Sequence, residues 1–415
     1  MDHPTAPYPT YATALSTPPT QRLRRRRGRR IGEMTAVGLL SAALASGGTW
    51  GVISLTDPGP TGTTSAASST AVGSGASVVP VSSAAKTNPD WNAVTAAVSP
   101  SVVSITVEGN GSGGQGSGVV IDDSGHVLTN HHVVSGAGDD AKITVTLSDG
   151  KTYAATIAGE DASTDLAVVS LTDPPDDLRP ITIGSSQQLQ VGDPVMAVGN
   201  PLGLSGTVTT GIVSALDRPV TTSSADEQEQ QGSPFGPQQQ SSSTPVVTSA
   251  IQTSAAVNPG NSGGALVDAA GRLVGINSSI ATLGGSEGQS GSIGIGFAIP
   301  VDEAQWIAEQ LIEDGTAQHA FLGVTPTDGT ATVGSATRSG AEIRSVTSGS
   351  PAEDAGLREG DLVVGVDDSP VTSAESLVGL VHARRIDTQV ELTVVRDGRE
   401  EQVTATLGTA PTAQG

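Results

Sequence analysis

Short runs of β-branched and aliphatic residues, each cut off by a turn signal, are what most constrain the fold of this chain. Val102-Val103-Ser104-Ile105-Thr106-Val107, Gly118-Val119-Val120-Ile121, Ile143-Thr144-Val145-Thr146-Leu147, Leu166 to Leu171, Val195-Met196-Ala197-Val198 and Leu273-Val274-Gly275-Ile276 read as strands. Ser124-Gly125 and Asp149-Gly150 read as turns between them. This spacing predicts antiparallel barrels and not βαβ units. Aromatic residues make up 2% of the chain and hydrophobic residues 36%, so the cores must be built from Val, Ile, Leu and Ala. With 415 residues there is length for two or three domains. Cysteine is absent, which removes disulfides, thiolate metal sites and a cysteine nucleophile but does not exclude an address outside the cytoplasm.

Charge is unevenly distributed. Of the 20 basic residues, seven (Arg22, Arg24, Arg25, Arg26, Arg27, Arg29 and Arg30) lie in residues 1–33, with only two of the 42 acids, Asp2 and Glu33. The net charge of −22 therefore becomes −27 for the remainder, an acidic surface that repels nucleic acid and anionic lipid. Taken alone, the arginine cluster would read as a nucleic-acid or localisation patch. The uncharged stretch 34–55 that follows changes the reading, because at about 1.5 Å per residue it crosses a hydrocarbon core of about 30 Å. Arginines on its N-terminal side predict a transmembrane signal-anchor with the N-terminus cytoplasmic and the bulk of the chain extracytoplasmic. Ala43-Leu44-Ala45 offers the rival reading of a cleaved signal. Residues 1–33 are expected to be a disordered basic segment, and 56–88, rich in Ser, Thr, Ala and Gly, a flexible tether. Order resumes at Asp90, which can cap a helix carrying Trp91, Val94 and Val98 on one face until Ser99-Pro100 ends it.

The chemistry concentrates at Asn258-Pro259-Gly260-Asn261-Ser262-Gly263-Gly264. A serine nucleophile needs backbone N–H groups aimed at the oxyanion of its tetrahedral intermediate, and glycines let a substrate backbone approach closely. Upstream, a histidine in Thr129-Asn130-His131-His132-Val133-Val134 and an aspartate in Asp161 to Val168 supply the other members of a triad. The order His, Asp, Ser is that of chymotrypsin-like enzymes. Gaps of 33 residues from His132 to Asp165 and 97 from Asp165 to Ser262 suit His and Asp in one barrel and Ser in a second.

From about Val94 to Leu407 the chain resembles the HtrA (Deg) family of envelope serine proteases with a C-terminal PDZ domain. The resemblance rests on Gly116 to Ile121, Leu128 to Val134, Thr164 to Val168, Val191-Gly192-Asp193 through Gly199-Asn200-Pro201, Asn258 to Leu266, and Gly294 to Pro300. It implies a mainly β chain, with a chymotrypsin-like double β-barrel over 89–315, a small α+β PDZ domain over 316–408 and a tail at 409–415. It makes His132 the base, Asp165 its orienter and Ser262 the nucleophile, with the amides of Gly260 and Ser262 as the oxyanion hole. It implies no cofactor or metal, and the family's usual trimer as the assembly.

Two features depart from the pattern or need a choice. Ser254 in Gln252-Thr253-Ser254 stands where the family has an acid, which puts one support of the active-site loop in question. His131 precedes His132, and on a strand neighbours face opposite ways, so only one should face Ser262. A G-x-G-x-x-G match at Gly111 to Gly116 is followed by a strand and not by a helix, so it is read as a mobile hairpin loop and not as a dinucleotide site. No acid is evident in Gln252–Val257 and Ser292–Phe297, the pocket-forming segments, which predicts small aliphatic P1 residues. The stretch from about Pro219 to Pro245, rich in Gln and Ser, is expected to be a disordered insertion.

Asp302 onward, through Ala304, Trp306, Ile307, Leu311 and Ile312, predicts a helix leaving the protease domain. Phe321-Leu322-Gly323-Val324 resembles the carboxylate-binding loop of PDZ domains, and Ser350 to Leu357 with Gly360-Asp361-Leu362-Val363 their turn-helix-strand core. Such modules bind C-terminal peptides by adding a strand to a sheet edge. Thr372 with Glu375 reads as a capping box for a helix turning Leu377, Leu380 and Val381 toward groove or core. The resemblance as a whole implies an ATP-independent serine endopeptidase of the cell envelope acting on unfolded or damaged proteins. The alternative is a PDZ scaffold or chaperone with an idle triad.

Overall fold

In the computed structural model the described residues are 88–109, 113–135, 141–201, 203, 206–222, 246–278 and 294–410. The expected membrane segment, nearly all of the tether, most of the Gln/Ser-rich insertion and Ser292 lie outside them. Among the described residues no helix is long and apolar enough to cross a membrane.

Helix α1 (Trp91–Val98) opens the described chain, with the Asp90 carboxylate accepting from the N–H groups of Asn92 and Ala93 and with Val94 and Val98 buried. A 3₁₀ turn, Ser99–Ser101, then leads into the first barrel. That barrel comprises β1 (Val102–Glu108), β2 (Gly113–Val120), β3 (His126–Thr129), β4 (Lys142–Thr146), β5 (Thr152–Asp161) and β6 (Leu166–Leu171), closed in the order β1-β2-β3-β6-β5-β4. The second comprises β7 (Pro194–Gly199), β8 (Thr207–Thr222), β9 (Val246–Thr253), β10 (Ala265–Asp268), β11 (Leu273–Ser278) and β12 (Gly296–Pro300), closed as β10-β11-β12-β9-β8-β7.

Two-residue alternation sorts the side chains. On β1, Val103, Ile105 and Val107 fill the first barrel with Val127, Val145 and Val169. Val102 lies on the opposite face, in a separate cluster with Val119, Leu166, Met196, Ala265 and Leu273, contributed by both barrels. The second barrel is filled by Val195, Ala197, Val213, Ile251, Leu266 and Val274. Aliphatic cores follow from the composition. The strands β3, β5, β10 and β12 escaped the sequence reading because β3, β10 and β12 are only four or five residues long and β5 mixes polar, small and glycine residues, so each carries a weak period-2 signal.

Helix α2 (His131–Val134) follows β3 directly. The histidine doublet therefore sits on a helical turn and not on a strand, so the alternation argument for choosing between them does not hold. The expected glycine loop is also corrected: Gly113, Gly114, Gly116 and Gly118 lie in β2. A Cβ on Gly116 would fall 2.7 Å from Val133 Cγ2 and one on Gly118 2.5 Å from Val127 Cγ1, so close packing and not loop mobility demands these glycines.

Helix α3 (Val301–Glu313) leaves β12 and buries Val301, Ala304, Ile307, Ala308 and Leu311, at helical spacing, against residues of both barrels. Fully burying Ile307 and Leu311 contributes on the order of 2 kcal/mol each.

The C-terminal module contains β13 (Ala320–Phe321), β14 (Val324–Val333), β15 (Ala336–Val346), α4 (Pro351–Asp354), β16 (Leu362–Val366), β17 (Ser369–Pro370), α5 (Ala374–His382), β18 (Gln389–Arg396), β19 (Arg399–Thr406) and β20 (Gly408–Thr409). Its main sheet runs β14-β15-β16-β18-β19, which leaves β14 at an edge, and β13 pairs with β20. That pairing, with the Ala410 amide bonded to the His319 carbonyl, carries the sheet into residues read as a tail. The cap of α5 is Ser373, whose Oγ accepts from Ser376 N, and not Thr372. Leu377, Leu380 and Val381 are all buried in the module core, which resolves the choice between groove and core. The outer side of α5 lies on the second barrel: a Cβ on Gly379 would approach Ser249 N to 3.3 Å. Nearby, Asp217 on β8 accepts from Ser369 Oγ at 2.7 Å.

Candidate active site

Ser262 sits in a turn closed by Asn261 N to Asn258 O (2.9 Å) and Gly264 N to Asn261 O (3.0 Å). Gly260 and Gly263 have φ of 91° and 80°, the left-handed region where a side chain is strained. Neither has room for one. A Cβ at 260 would fall 2.5 Å from Pro201 Cβ, and one at 263 would fall 2.2 Å from the Ser117 carbonyl oxygen. The turn is tied to β11 by Gly263 N to Asn277 O (2.9 Å) and Asn277 N to Gly264 O (2.8 Å).

His132 is half-buried on α2, and its Nδ1 lies 2.9 and 3.0 Å from the two carboxylate oxygens of Asp165. Asp165 is buried, and its φ of 58° is tolerated because Asp visits the left-handed region more readily than most residues. Its Oδ1 also accepts from His132 N at 3.1 Å, and Ser278 Oγ lies 3.3 Å from Oδ2. Its carbonyl accepts from His131 N (3.1 Å) and from Asn130 Nδ2 (2.9 Å), so side chain and backbone of one residue together clamp the N-terminal end of the α2 turn. An acceptor-only carboxylate on Nδ1 places the proton there and leaves Nε2 as the basic nitrogen. His131 turns instead toward Glu160, 3.7 Å away.

The two barrels meet at the nucleophile turn. Ser117 N on β2 donates to the Ser262 carbonyl at 2.8 Å. Gly116 next to it lies against Val133 of α2, and a Cβ there would also sit 3.3 Å from the Ser262 carbonyl. Ser262 is thereby seated beside the helix that carries His132.

Several residues around the site carry work that sequence reasoning missed. Fully buried Ser117 donates from Oγ to the Gly260 carbonyl at 2.7 Å and accepts from Asn200 N at 2.8 Å, bridging both barrels and the nucleophile turn. Thr129 Oγ1 donates to the Ser117 carbonyl at 2.7 Å. A lone hydroxyl between two glycines of β2 was the available signal. Ser254, where the resemblance expects an acid, still supplies an acceptor, since its Oγ receives Ile212 N at 3.0 Å. Gly296 of β12 approaches Val257 closely, a Cβ there falling 2.7 Å from Val257 Cγ2.

In the second module the loop Phe321 to Val324 joins β13 to the edge strand β14. Gly323 has φ of 88°, and its carbonyl accepts from Thr347 N at 2.8 Å. Leu322 is buried, and its carbonyl accepts from Ala352 N at 2.8 Å, so the loop is held by α4.

Comparison with known proteins agrees with this architecture. Residues 116–276 match the trypsin-like peptidase domain family and 320–407 the PDZ domain family. The chain is 42% identical over 410 residues to serine protease PepD of Mycobacterium tuberculosis, covering 95% of this chain and 81% of that one. It is 40% identical over 307 residues to a probable periplasmic serine endoprotease, DegP-like, of Chlamydia trachomatis, covering 72% of this chain but only 55% of that protein's length. The HtrA-type protease AlgW solved with a tripeptide superposes with a TM-score of 0.53 at 31% identity, covering 79% of this chain and 99% of that one. A double barrel bearing a His–Asp pair beside a serine turn, a PDZ module behind it and this degree of likeness make the chain a member of the HtrA (Deg) family of serine proteases.

Proposed function

We propose that His132, Asp165 and Ser262 form the catalytic triad of an ATP-independent serine endopeptidase, and that the amides of Gly260 and Ser262 form its oxyanion hole. The carrying observation is the His132 Nδ1 to Asp165 contact at 2.9 Å, supported by the backbone bond from His131 N to the Asp165 carbonyl. His132 Nε2 takes the Ser262 proton as Oγ attacks the scissile carbonyl. The two amides stabilise the oxyanion, His132 then protonates the departing amine, and water hydrolyses the acyl ester by the reverse route. Asp165 stays ionised throughout and stabilises the imidazolium. The pocket segments within the described residues, 252–257 and 294–297, bear no acid, which favours small aliphatic P1 side chains.

In this reading the protease domain spans 89–315 and the PDZ domain 316–408. The loop Phe321, Leu322, Gly323 and Val324 captures the terminal carboxylate of a peptide that adds to the β14 edge. The substrates are unfolded or damaged proteins of the cell envelope. A single-pass anchor at 34–55 holds a homotrimer to the outer face of the cytoplasmic membrane, with the protease and PDZ domains extracytoplasmic. Fluorophosphonate labelling of the full-length chain tests the triad: wild type should be labelled, whereas Ser262→Ala and His132→Ala should not. An unlabelled wild type that still binds C-terminal peptides would favour a scaffold or chaperone with an idle triad.

A further inference from the structure

The turn that presents Asp165 is held from outside the barrel. Its first residue, Asp161, ends β5 and is almost wholly buried, and its carboxylate accepts from Ser163 N (3.1 Å), Ser163 Oγ (2.6 Å) and Thr164 Oγ1. These bonds wind residues 161–165 into the shape that delivers Asp165 at positive φ. The next partner comes from the connection to the PDZ module: His319 Nε2 lies 3.1 Å from both oxygens of Asp161 and 2.7 Å from Ser163 Oγ. A carboxylate only accepts, so Nε2 carries the proton shared by this cluster.

His319 itself is held through its backbone and through the faces of its ring. Its carbonyl accepts from Ala410 N at 2.9 Å and Ala320 beside it pairs with Thr409, which binds the backbone to the PDZ module. Gln318 N bonds to Gln310 Oε1 on α3 at 3.0 Å. The ring lies edge-on to Trp306, centroids 6.4 Å apart, and 6.1 Å from the ring of His382 at the end of α5. The imidazole is therefore a short strut with its foot in one domain and its tip on the catalytic turn of the other.

We propose that His319 is a positioning residue for the hydrolytic reaction: by bonding Asp161 and Ser163 it holds the Asp165 carboxylate on His132, and so ties the competence of the triad to the seating of the PDZ module. This goes beyond the triad assignment but rests on it. Asp161 from β5 and the ring of His382 at the end of α5 face His319 directly, and the carboxyl of Glu303 on α3 feels the charges of Asp161 and of Arg384, just beyond α5. Burial tends to raise the Asp161 carboxyl, but the bond and charge of His319, with the bonds from Ser163 and Thr164, outweigh it and hold the group below its usual range. Taking the imidazole away leaves a buried carboxylate without the ring N–H that bridges it to the PDZ module, so the turn must relax. A misplacement of about 1 Å in catalytic geometry costs up to about a hundredfold in rate.

The test uses the full-length chain and a chromogenic peptide too short to reach the PDZ module, with kcat and KM measured across pH. His319→Ala should lower kcat about tenfold or more with KM within about twofold. It should also move the acid limb of kcat/KM to lower pH, because a His132 imidazolium less well held by Asp165 loses its proton more readily. His319→Gln, whose amide N–H can occupy the Nε2 position, should restore most of both. His319→Asn, whose amide stops short of Asp161, should not, and this pair carries the test if the alanine variant does not fold. Uniform scaling of kcat/KM at all pH values, wild-type kcat in His319→Ala, or equal impairment in the Gln and Asn variants would overturn the proposal. Ser262→Ala in the same assay separates the two readings: if it abolishes turnover while the His319 variants are silent, only the strut falls.

Discussion

Ser117→Ala is the perturbation that most directly probes how the nucleophile turn is held. The side chain loses a single oxygen and its Cβ remains, so no methyl-sized cavity opens at this fully buried position. What goes is a donor to the Gly260 carbonyl at 2.7 Å and an acceptor for Asn200 N at 2.8 Å. Asn200 is itself buried, so its orphaned N–H costs about 1–3 kcal/mol, and the lost bond to Gly260 adds about 1 kcal/mol. The first part is a stability cost and should lower the unfolding temperature. The second falls on the turn whose Gly260 amide is proposed for the oxyanion hole, because an unanchored carbonyl frees the backbone of a glycine at φ 91° to leave that conformation. About 1.4 kcal/mol is a factor of ten in rate, so kcat should fall about tenfold, short of the hundredfold or more expected when an oxyanion donor is removed outright. KM should change little, since a substrate's ground-state carbonyl gains less from the hole than the oxyanion does. Steady-state kinetics on a peptide substrate, beside thermal unfolding, separates the two. A variant with wild-type kcat and only a lower unfolding temperature would refute the link between this hydroxyl and the hole.

Asp165→Asn should lower turnover by about 10⁴-fold in peptide kinetics while leaving the unfolding temperature close to wild type, because the amide favours the wrong imidazole tautomer. Burial, with the nearby Asp161 charge adding and Arg384 opposing, raises the Glu303 carboxyl from 4.5 to about 8. The folded chain thus binds this proton more tightly than the unfolded chain, so its contribution is complete below about 4.5 and lost as pH rises through about 8. Glu303→Gln should accordingly flatten the fall in unfolding temperature across that interval, and an unchanged slope would count against it. Arg396 grips the buried Asp361 carboxylate with Nε and Nη2, both at 2.7 Å, so Arg396→Ala should destabilise the PDZ module by about 3 kcal/mol in denaturant unfolding, leaving a buried charge unpaired. A peptide with an apolar C-terminus should bind the full-length chain, measured by calorimetry, and amidating that terminus should weaken binding about tenfold or more; equal affinities would rule out carboxylate capture by the Phe321 to Val324 loop.

Much of this architecture could be read before any coordinates, and for local reasons. Runs such as Val102 to Val107 state their own periodicity, Asp90 ahead of Trp91 states its own cap, and the serine set among glycines in Asn258 to Gly264 gains meaning from the histidine and aspartate upstream. Where local signals compete, tertiary contacts settled the outcome. Thr372 reads as the cap of α5, but it is Ser373 whose hydroxyl accepts from the first turn. The glycines of β2 resemble a loop in sequence, and only the approach of Val133 and Val127 explains why they lie in a strand.

The sequence by itself determined that the chain is β-rich, that its cores are aliphatic, that a serine stands in a glycine turn, and which families it resembles. Those properties reside in residue type and spacing along a few consecutive positions. Only the tertiary structure decided that His131 turns to Glu160 while His132 meets Asp165, that Ser117 joins both barrels to the nucleophile turn, and that His319 reaches the turn that presents the catalytic aspartate. Each is a contact between residues 29 to 158 positions apart, and such pairings are set by how barrels close and domains seat, which no local pattern records.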